Sequence, residues 1–323
     1  MIESFLQNIT SPPILFFILG VVAGFVKSDL NVPDQIGRYL SIYLMMAIGF
    51  KGGVAIANAP EIDFEIIVIL AAGILTGFLQ PFIGYFLLKW TTKLDNKTIS
   101  ATAAHYGSIS MVTFVTAVSF LEVSEIVYAA YIVAVVALME APAIMTGLFL
   151  AHKSEKDPAK KDANFPWREL FTNGAILLLT GSFIIGAVSG NSGMEKMKAF
   201  LIDPFHGVLA FFLLDMGLLV SRQMHHLKEF NFRLIAFGIY MPLIGATVGF
   251  IISYTIGLDV GTGMLFITLI ASASYIAVTA AMRMALPEAK AAIYIPMTLA
   301  ITFPFNIAFG IPLYFTIAER FLG

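Results

Sequence analysis

No cysteine occurs in the 323-residue chain, which excludes a disulfide framework, thiolate catalysis and a cysteine-based metal site. Charge is scarce too, with Asp, Glu, Lys and Arg together making up 12% of residues. No G-x-x-x-x-G-K-[ST] run is present, so ATP is not bound by that route. There is no polar stretch long enough to build a soluble domain where hydrolysis would take place, and the chain reads as a non-enzyme with no catalytic residues. The basic residues do not form a nucleic-acid site, because Glu155, Asp157 and Asp162 are interleaved with them.

Apolar sequence takes the place of what is missing. Hydrophobic residues make up 59% of the chain and mean hydropathy is +0.87, more apolar surface than one soluble domain can hide. Cutting at charged and Pro/Gly/Asn clusters leaves ten apolar segments, near 12–27, 34–57, 64–90, 97–121, 125–151, 170–189, 200–224, 232–257, 261–284 and 289–318. At 1.5 Å per residue each approaches or exceeds the roughly 30 Å of a bilayer core. Unpaired backbone is costly in lipid and the runs lack the alternation of a barrel, so the expectation is an all-α polytopic membrane protein of ten transmembrane helices. Met1–Ser11 carries no Lys or Arg, which argues against a cleaved signal peptide.

Basic residues sort by connection. Those after segments 1, 3, 5, 7 and 9 hold 15 of the 19 Lys and Arg residues, and the opposite side keeps only Lys51, Lys196, Lys198 and Arg320. The positive-inside rule then puts both termini outside and the 152–168 loop in the cytoplasm of a plasma (inner) membrane protein.

The polar loop divides the chain into residues 1–152, a cytoplasmic linker 153–168, and residues 169–323. The two halves match in order: Pro81-Phe82-Ile83-Gly84 with Pro242-Leu243-Ile244-Gly245, Ser108-Ile109-Ser110 with Ser272-Ala273-Ser274, and Glu140-Ala141-Pro142 with Thr302-Phe303-Pro304. Five spans per half make the second copy sit upside down relative to the first, a 5+5 inverted repeat of the kind that secondary transporters use.

Within Ala104–Thr116 an apolar segment turns small and hydroxylated, and the same composition returns at Ala271–Ala281. A helix unwound there at mid-membrane frees backbone groups and points helix N-termini at the gap, which suits an anion, while freed carbonyls suit sodium. The competing reading is close helix packing by small residues. Glu140, just before Pro142, is either a cation ligand or proton carrier, or a carboxylate bonded to a neighbouring helix. Asn306, two residues after Pro304, either coordinates a cation or joins helices. Asp215, alone in Phe211–Leu219, requires a partner; Lys51 is the candidate, as a gate pair, with an ion ligand and a structural pair as alternatives. His105 adjoins the first stretch, as a proton site or a packing residue. His225-His226 fit an interfacial helix end.

With these stretches in place the chain resembles the sodium-dependent bicarbonate transporter family, known from the cyanobacterial Sbt-type carriers. The resemblance covers nearly all ten segments and is carried by Ile48–Ile56, Gly107–Thr113, Met139–Ala143, Ser272–Arg283 with Leu286-Pro287, and Gly310–Leu313. It implies a gate domain of spans 1, 2, 6 and 7, a core domain of spans 3–5 and 8–10, broken helices 4 and 9 crossing at mid-membrane, and a homotrimer among membrane lipids. It also implies an elevator-like import of bicarbonate with sodium as coupling ion and no other cofactor. By position, substrate binding falls to Gly107, Ser108, Ser110, Thr113, Ser272, Ser274 and Tyr275, and cation binding to Glu140 and Asn306. The cyanobacterial sequences follow the second serine pair with aspartate, isoleucine, serine and glycine; here Tyr275-Ile276-Ala277-Val278 follow. The linker is also shorter than in those carriers, so a PII-like cytoplasmic regulator is not carried over. The residues alone leave open a carrier of another small organic or inorganic anion, a cation–proton exchanger using Glu140 and Asp215, and a non-transporting membrane sensor.

Overall fold

The structure is a computed structural model that describes residues 10–58, 64–153, 174–224, 227 and 230–323. The expected linker beyond Lys153, most of Met1–Ser11, and His225-His226 lie outside the described residues. All regular structure among the described residues is helical. The first half holds α1 (Pro12–Phe25), α2 (Asp34–Ala57), α3 (Phe64–Thr91), α4 (Asn96–Gly107), α5 (Met111–Val123) and α6 (Ile132–Lys153). The second holds α7 (Gly174–Met197), a π-helical turn Lys198–Ile202, α8 (Phe205–Met224), α9 (Phe232–Ile256), α10 (Val260–Ala271) and α11 (Ala277–Ala285). It closes with α12 (Ala291–Pro296), α13 (Phe303–Phe305) and α14 (Ile311–Phe321), joined by π-helical turns Met297–Thr302 and Asn306–Gly310.

Each apolar segment of the sequence contains helix, but the bounds differ. Residues 124–131 form a non-helical connection with Glu125 at φ 55°, so α6 starts later than hydropathy indicates. α7 continues past 189 through Gly190, whose φ of 55° kinks it. Among the described residues six helical stretches are long and apolar enough to cross a membrane: Phe64–Thr91, Asn96–Val123, Ile132–Lys153, Thr180–Met224, Phe232–Ile256 and Ala291–Phe321. Pro12–Phe25 and Val260–Ala271 are apolar but shorter. Large side chains such as Ile67, Leu75, Leu79 and Phe86 of α3 and Ile251 and Tyr254 of α9 stand exposed. Lipid is the matching solvent for them, and the chain is a multi-pass membrane protein.

Two packing groups follow from close backbone approaches. α1 lies on α8 where a Cβ on Gly20 would meet the Leu214 carbonyl oxygen at 2.1 Å, and α2 lies on α7 where one on Gly186 would meet that of Phe50 at 2.2 Å. α3, α4 and α6 pack together, as do α9, α10 and α14. Here Gly77 faces the Met139 backbone in one half while Gly238 faces Ile301 in the other. The corresponding partners are 161 and 162 residues apart in sequence. Helix starts correspond too: Asp95 caps α4 by accepting from the Thr98 N–H at 2.8 Å, and Asp259 caps α10 by accepting from that of Thr262 at 2.9 Å.

Contacts between helix ends fall into two sets. Lys97 pairs with Glu288 at 3.0 Å, Lys290 with Asp95 at 3.8 Å, and Arg222 donates to Asn31 at 2.7 Å, all joining the basic connections. Lys51 pairs with Glu122 at 2.6 Å and Asn58 donates to Asn191 at 2.8 Å, joining the connections of the other set.

Candidate functional site

The sequence ends α4 at a glycine for a steric reason. A Cβ on Gly107 would come within 2.2 Å of Pro81 Cγ and 2.5 Å of its Cδ, so only glycine lets the end of α4 lie on the α3 proline. Ser108 and Ser110 then run extended, at ψ 173° and ψ 109°. Ser110 starts α5, its Oγ accepting from the Thr113 N–H at 3.2 Å and from the Thr113 hydroxyl at 3.0 Å. The second break repeats the plan: α10 stops at Ala271, Ser272 is extended at ψ 174°, and α11 begins at Ala277.

The two breaks touch. The Ser110 N–H donates to Ser272 Oγ at 2.9 Å, and the Ser274 N–H donates to the His105 carbonyl at 2.8 Å. Ser108, Ser110, Thr113, Ser272 and Ser274 are all buried. The Ser108 hydroxyl, alone among these, has no hydrogen-bond partner among the described residues. An unpaired buried hydroxyl costs about 1–3 kcal/mol, and a ligand that accepts its proton would recover that. The N-terminus of α5 adds the positive end of its helix dipole.

Freed carbonyls at the end of α10 are held by side chains from two other segments. Gln80 Nε2 donates to the Ile270 carbonyl at 2.7 Å, and Asn306 Nδ2 donates to that of Ala271 at 2.9 Å. Asn306 Oδ1 in turn accepts from the Tyr314 hydroxyl at 2.8 Å. Asn306 thus clamps the break to α14 with both ends of its amide engaged. Glu140 is buried in α6, which runs through Pro142 without a break, and its carboxylate has no hydrogen-bond partner among the described residues. The Met139 carbonyl next to it closes on Gly77 of α3, whose own carbonyl lies 3.1 Å from the Cβ position of Gly107. The stretch of α6 that carries Glu140 therefore packs on the same part of α3 as the end of α4.

Tyr275 lies between the second break and α8: its ring packs edge-on against Phe303 at 5.5 Å and its hydroxyl donates to Met216 Sδ at 3.8 Å. His105 is fully engaged, with Nδ1 on the Ala101 carbonyl at 2.6 Å, Nε2 on Thr279 Oγ1 at 3.0 Å, and its ring stacked on Tyr294 at 4.6 Å. It ties α4 to α11 as a packing residue.

A family model described as the Na+-dependent bicarbonate transporter superfamily matches residues 12–319. The chain belongs to that superfamily. No curated protein matches this superfamily member closely enough to be named as a relative. The resemblance read from the paired serine stretches and prolines therefore agrees with the family.

One expected contact in this superfamily member is corrected. Lys51 does not pair with Asp215; its ammonium is 2.6 Å from Glu122 Oε1. Asp215 Oδ2 instead lies 2.4 Å from the Cβ position of Gly37. Gly37 and Lys51 are fourteen residues apart on α2, about 21 Å of helix, so the two charges sit at opposite ends of α2. Among the described residues no lysine or arginine forms an ion pair with Asp215. Glu122, Gln80 and Tyr314 escaped the sequence reading, although a glutamine beside a proline within an apolar run is itself a signal of a buried backbone to be satisfied.

Proposed function

We propose that this superfamily member is a secondary carrier that imports bicarbonate together with sodium. The observation that carries the reading is the reciprocal amide contact between the two breaks, Ser110 onto Ser272 and Ser274 onto His105, beside the unpartnered Ser108 hydroxyl. The anion takes the Ser108 hydroxyl and the N-terminal amides of α5 and α11 as donors. Sodium takes Glu140 and nearby carbonyl and hydroxyl oxygens, since a hard cation prefers oxygen ligands.

A 5+5 inverted repeat is part of the proposal. In its favour are the matched Asp95 and Asp259 caps, the Gly77 and Gly238 contacts, and the Gly20 and Gly186 crossings. The segments of α1, α2, α7 and α8 form the gate, and the remainder forms a core that slides past it as an elevator. Basic connections face the cytoplasm and both termini face outward. A homotrimer in the plasma membrane completes the picture.

Thermal stabilisation of purified protein across a panel of anions, with and without sodium, tests the reading. Bicarbonate raises Tm in sodium and much less in choline. Stabilisation by a larger organic anion and not by bicarbonate, or stabilisation by cations that ignores every anion, moves the site to another cargo.

A further inference from the structure

A charged cluster outside the paired breaks joins the two packing groups at one end of the molecule. Glu122, in the last turn of α5, receives Lys51 Nζ of α2 on Oε1 at 2.6 Å and faces His206 Nε2 of α8 from Oε2 at 3.3 Å. Ser119, one turn before Glu122, contacts the other ring nitrogen of His206 at 3.2 Å. The Lys51 ammonium also lies over the Phe205 ring at 5.2 Å. Both carboxylate oxygens of one α5 residue are thus engaged by side chains from α2 and α8.

Directly beneath is a cavity of about 180 Å³, lined by Lys51, Tyr128 and Phe205 and, from α5, by Phe114 and Val118. Phe114 is one turn from Ser110, so the cavity runs along α5 from the charged cluster toward the first break. A cavity of that size admits a small hydrated anion. Glu122 holds the ammonium that such an anion meets first, and the anion competes with the Glu122 carboxylate for it.

We propose that Lys51, Glu122 and His206 form the outer latch of the carrier and that the cavity below them is the antechamber through which the anion reaches the paired breaks. The proposal rests on the division into gate and core given above: Glu122 belongs to the core, Lys51 and His206 to the gate, and the latch opens when the core moves. Lys51 and His206 are positioning residues here, acting on access and not on the bound anion.

The cysteine-free sequence makes the test direct. A single Val118→Cys lines the cavity, and its labelling by a membrane-impermeant thiol reagent reads access from outside. Glu122→Gln raises that labelling rate about fivefold, the population shift expected from losing a partly screened charge cluster. Lys51→Met does the same from the gate side if the Glu122 variant fails to fold, and Lys51→Arg keeps labelling slow. In Lys51→Cys/Glu122→Cys, a reducible bis-thiol reagent that bridges the two cysteines stops uptake and a reductant restores it. Unchanged Val118→Cys labelling on loss of Glu122 or Lys51, or undiminished uptake by the cross-linked protein, overturns the latch. Labelling is read without any transport, so an absence of bicarbonate uptake by the parent protein counts against the proposed cargo and leaves the latch measurement intact.

Discussion

The Ser274 amide donates to the His105 carbonyl at 2.8 Å across 169 residues of sequence, while Ser110 donates to Ser272 Oγ at 2.9 Å in the opposite direction. Each break therefore completes the other. Neither interrupted helix satisfies its own backbone in the membrane, where an unpaired amide costs several kcal/mol, so the two form one unit.

Removing the unpaired hydroxyl separates ligand binding from folding. Ser108→Ala deletes a group with no protein partner, so stability stays within about 1 kcal/mol of the parent or rises. The anion loses one donor, and its apparent affinity falls about tenfold, equivalent to ~1.4 kcal/mol. Thermal denaturation in the absence and presence of bicarbonate reads both effects.

Gly107→Ala brings a Cβ within 2.2 Å of Pro81 Cγ. Overpacking of this kind costs about 1–3 kcal/mol, and the lowered Tm of the variant measures it. Pro81→Ala removes the ring atoms in the way, so the double variant recovers more than the sum of the two single changes gives. Additive losses rule out this contact as the reason for the glycine.

Gln80→Leu leaves the Ile270 carbonyl unpaired, and Asn306→Leu does the same for Ala271. Each costs about 1–3 kcal/mol through a buried acceptor left without a donor. The Asn306 change also strands the Tyr314 hydroxyl, so it is the larger of the two. Denaturation midpoints in detergent order the variants.

Glu140→Gln keeps size and hydrogen-bonding capacity while removing the charge. Stabilisation by sodium is lost, and bicarbonate binding becomes independent of sodium. Titrating Tm with sodium at fixed ionic strength decides it, and a sodium effect equal to that of the parent removes Glu140 from the cation site.

Helical class, membrane residence and the location of the breaks are legible in the sequence, because hydropathy and interrupted apolar runs express them directly. The family follows from the order and spacing of the serine and proline stretches. Long-range pairing is not legible at that level. Lys51 and Asp215 looked like partners because each is an isolated charge, yet pairing depends on depth along α2, and the Gly37 contact sets Asp215 at the other end. Glu122 was hidden for a related reason: a carboxylate at the end of an apolar segment reads as an interfacial residue until Lys51 and His206 are seen on it. Gln80 could have been found, since a buried carbonyl freed by a predicted break calls for a donor on a neighbouring helix.

Uptake of radiolabelled bicarbonate by proteoliposomes under an inward sodium gradient tests the account most directly. The parent protein accumulates label, collapse of the gradient stops accumulation, and the Ser110→Ala/Ser274→Ala variant, folded by its denaturation profile, takes up label no faster than empty vesicles. Sodium-independent uptake, or undiminished uptake by the double variant, contradicts a sodium-coupled site at the paired breaks.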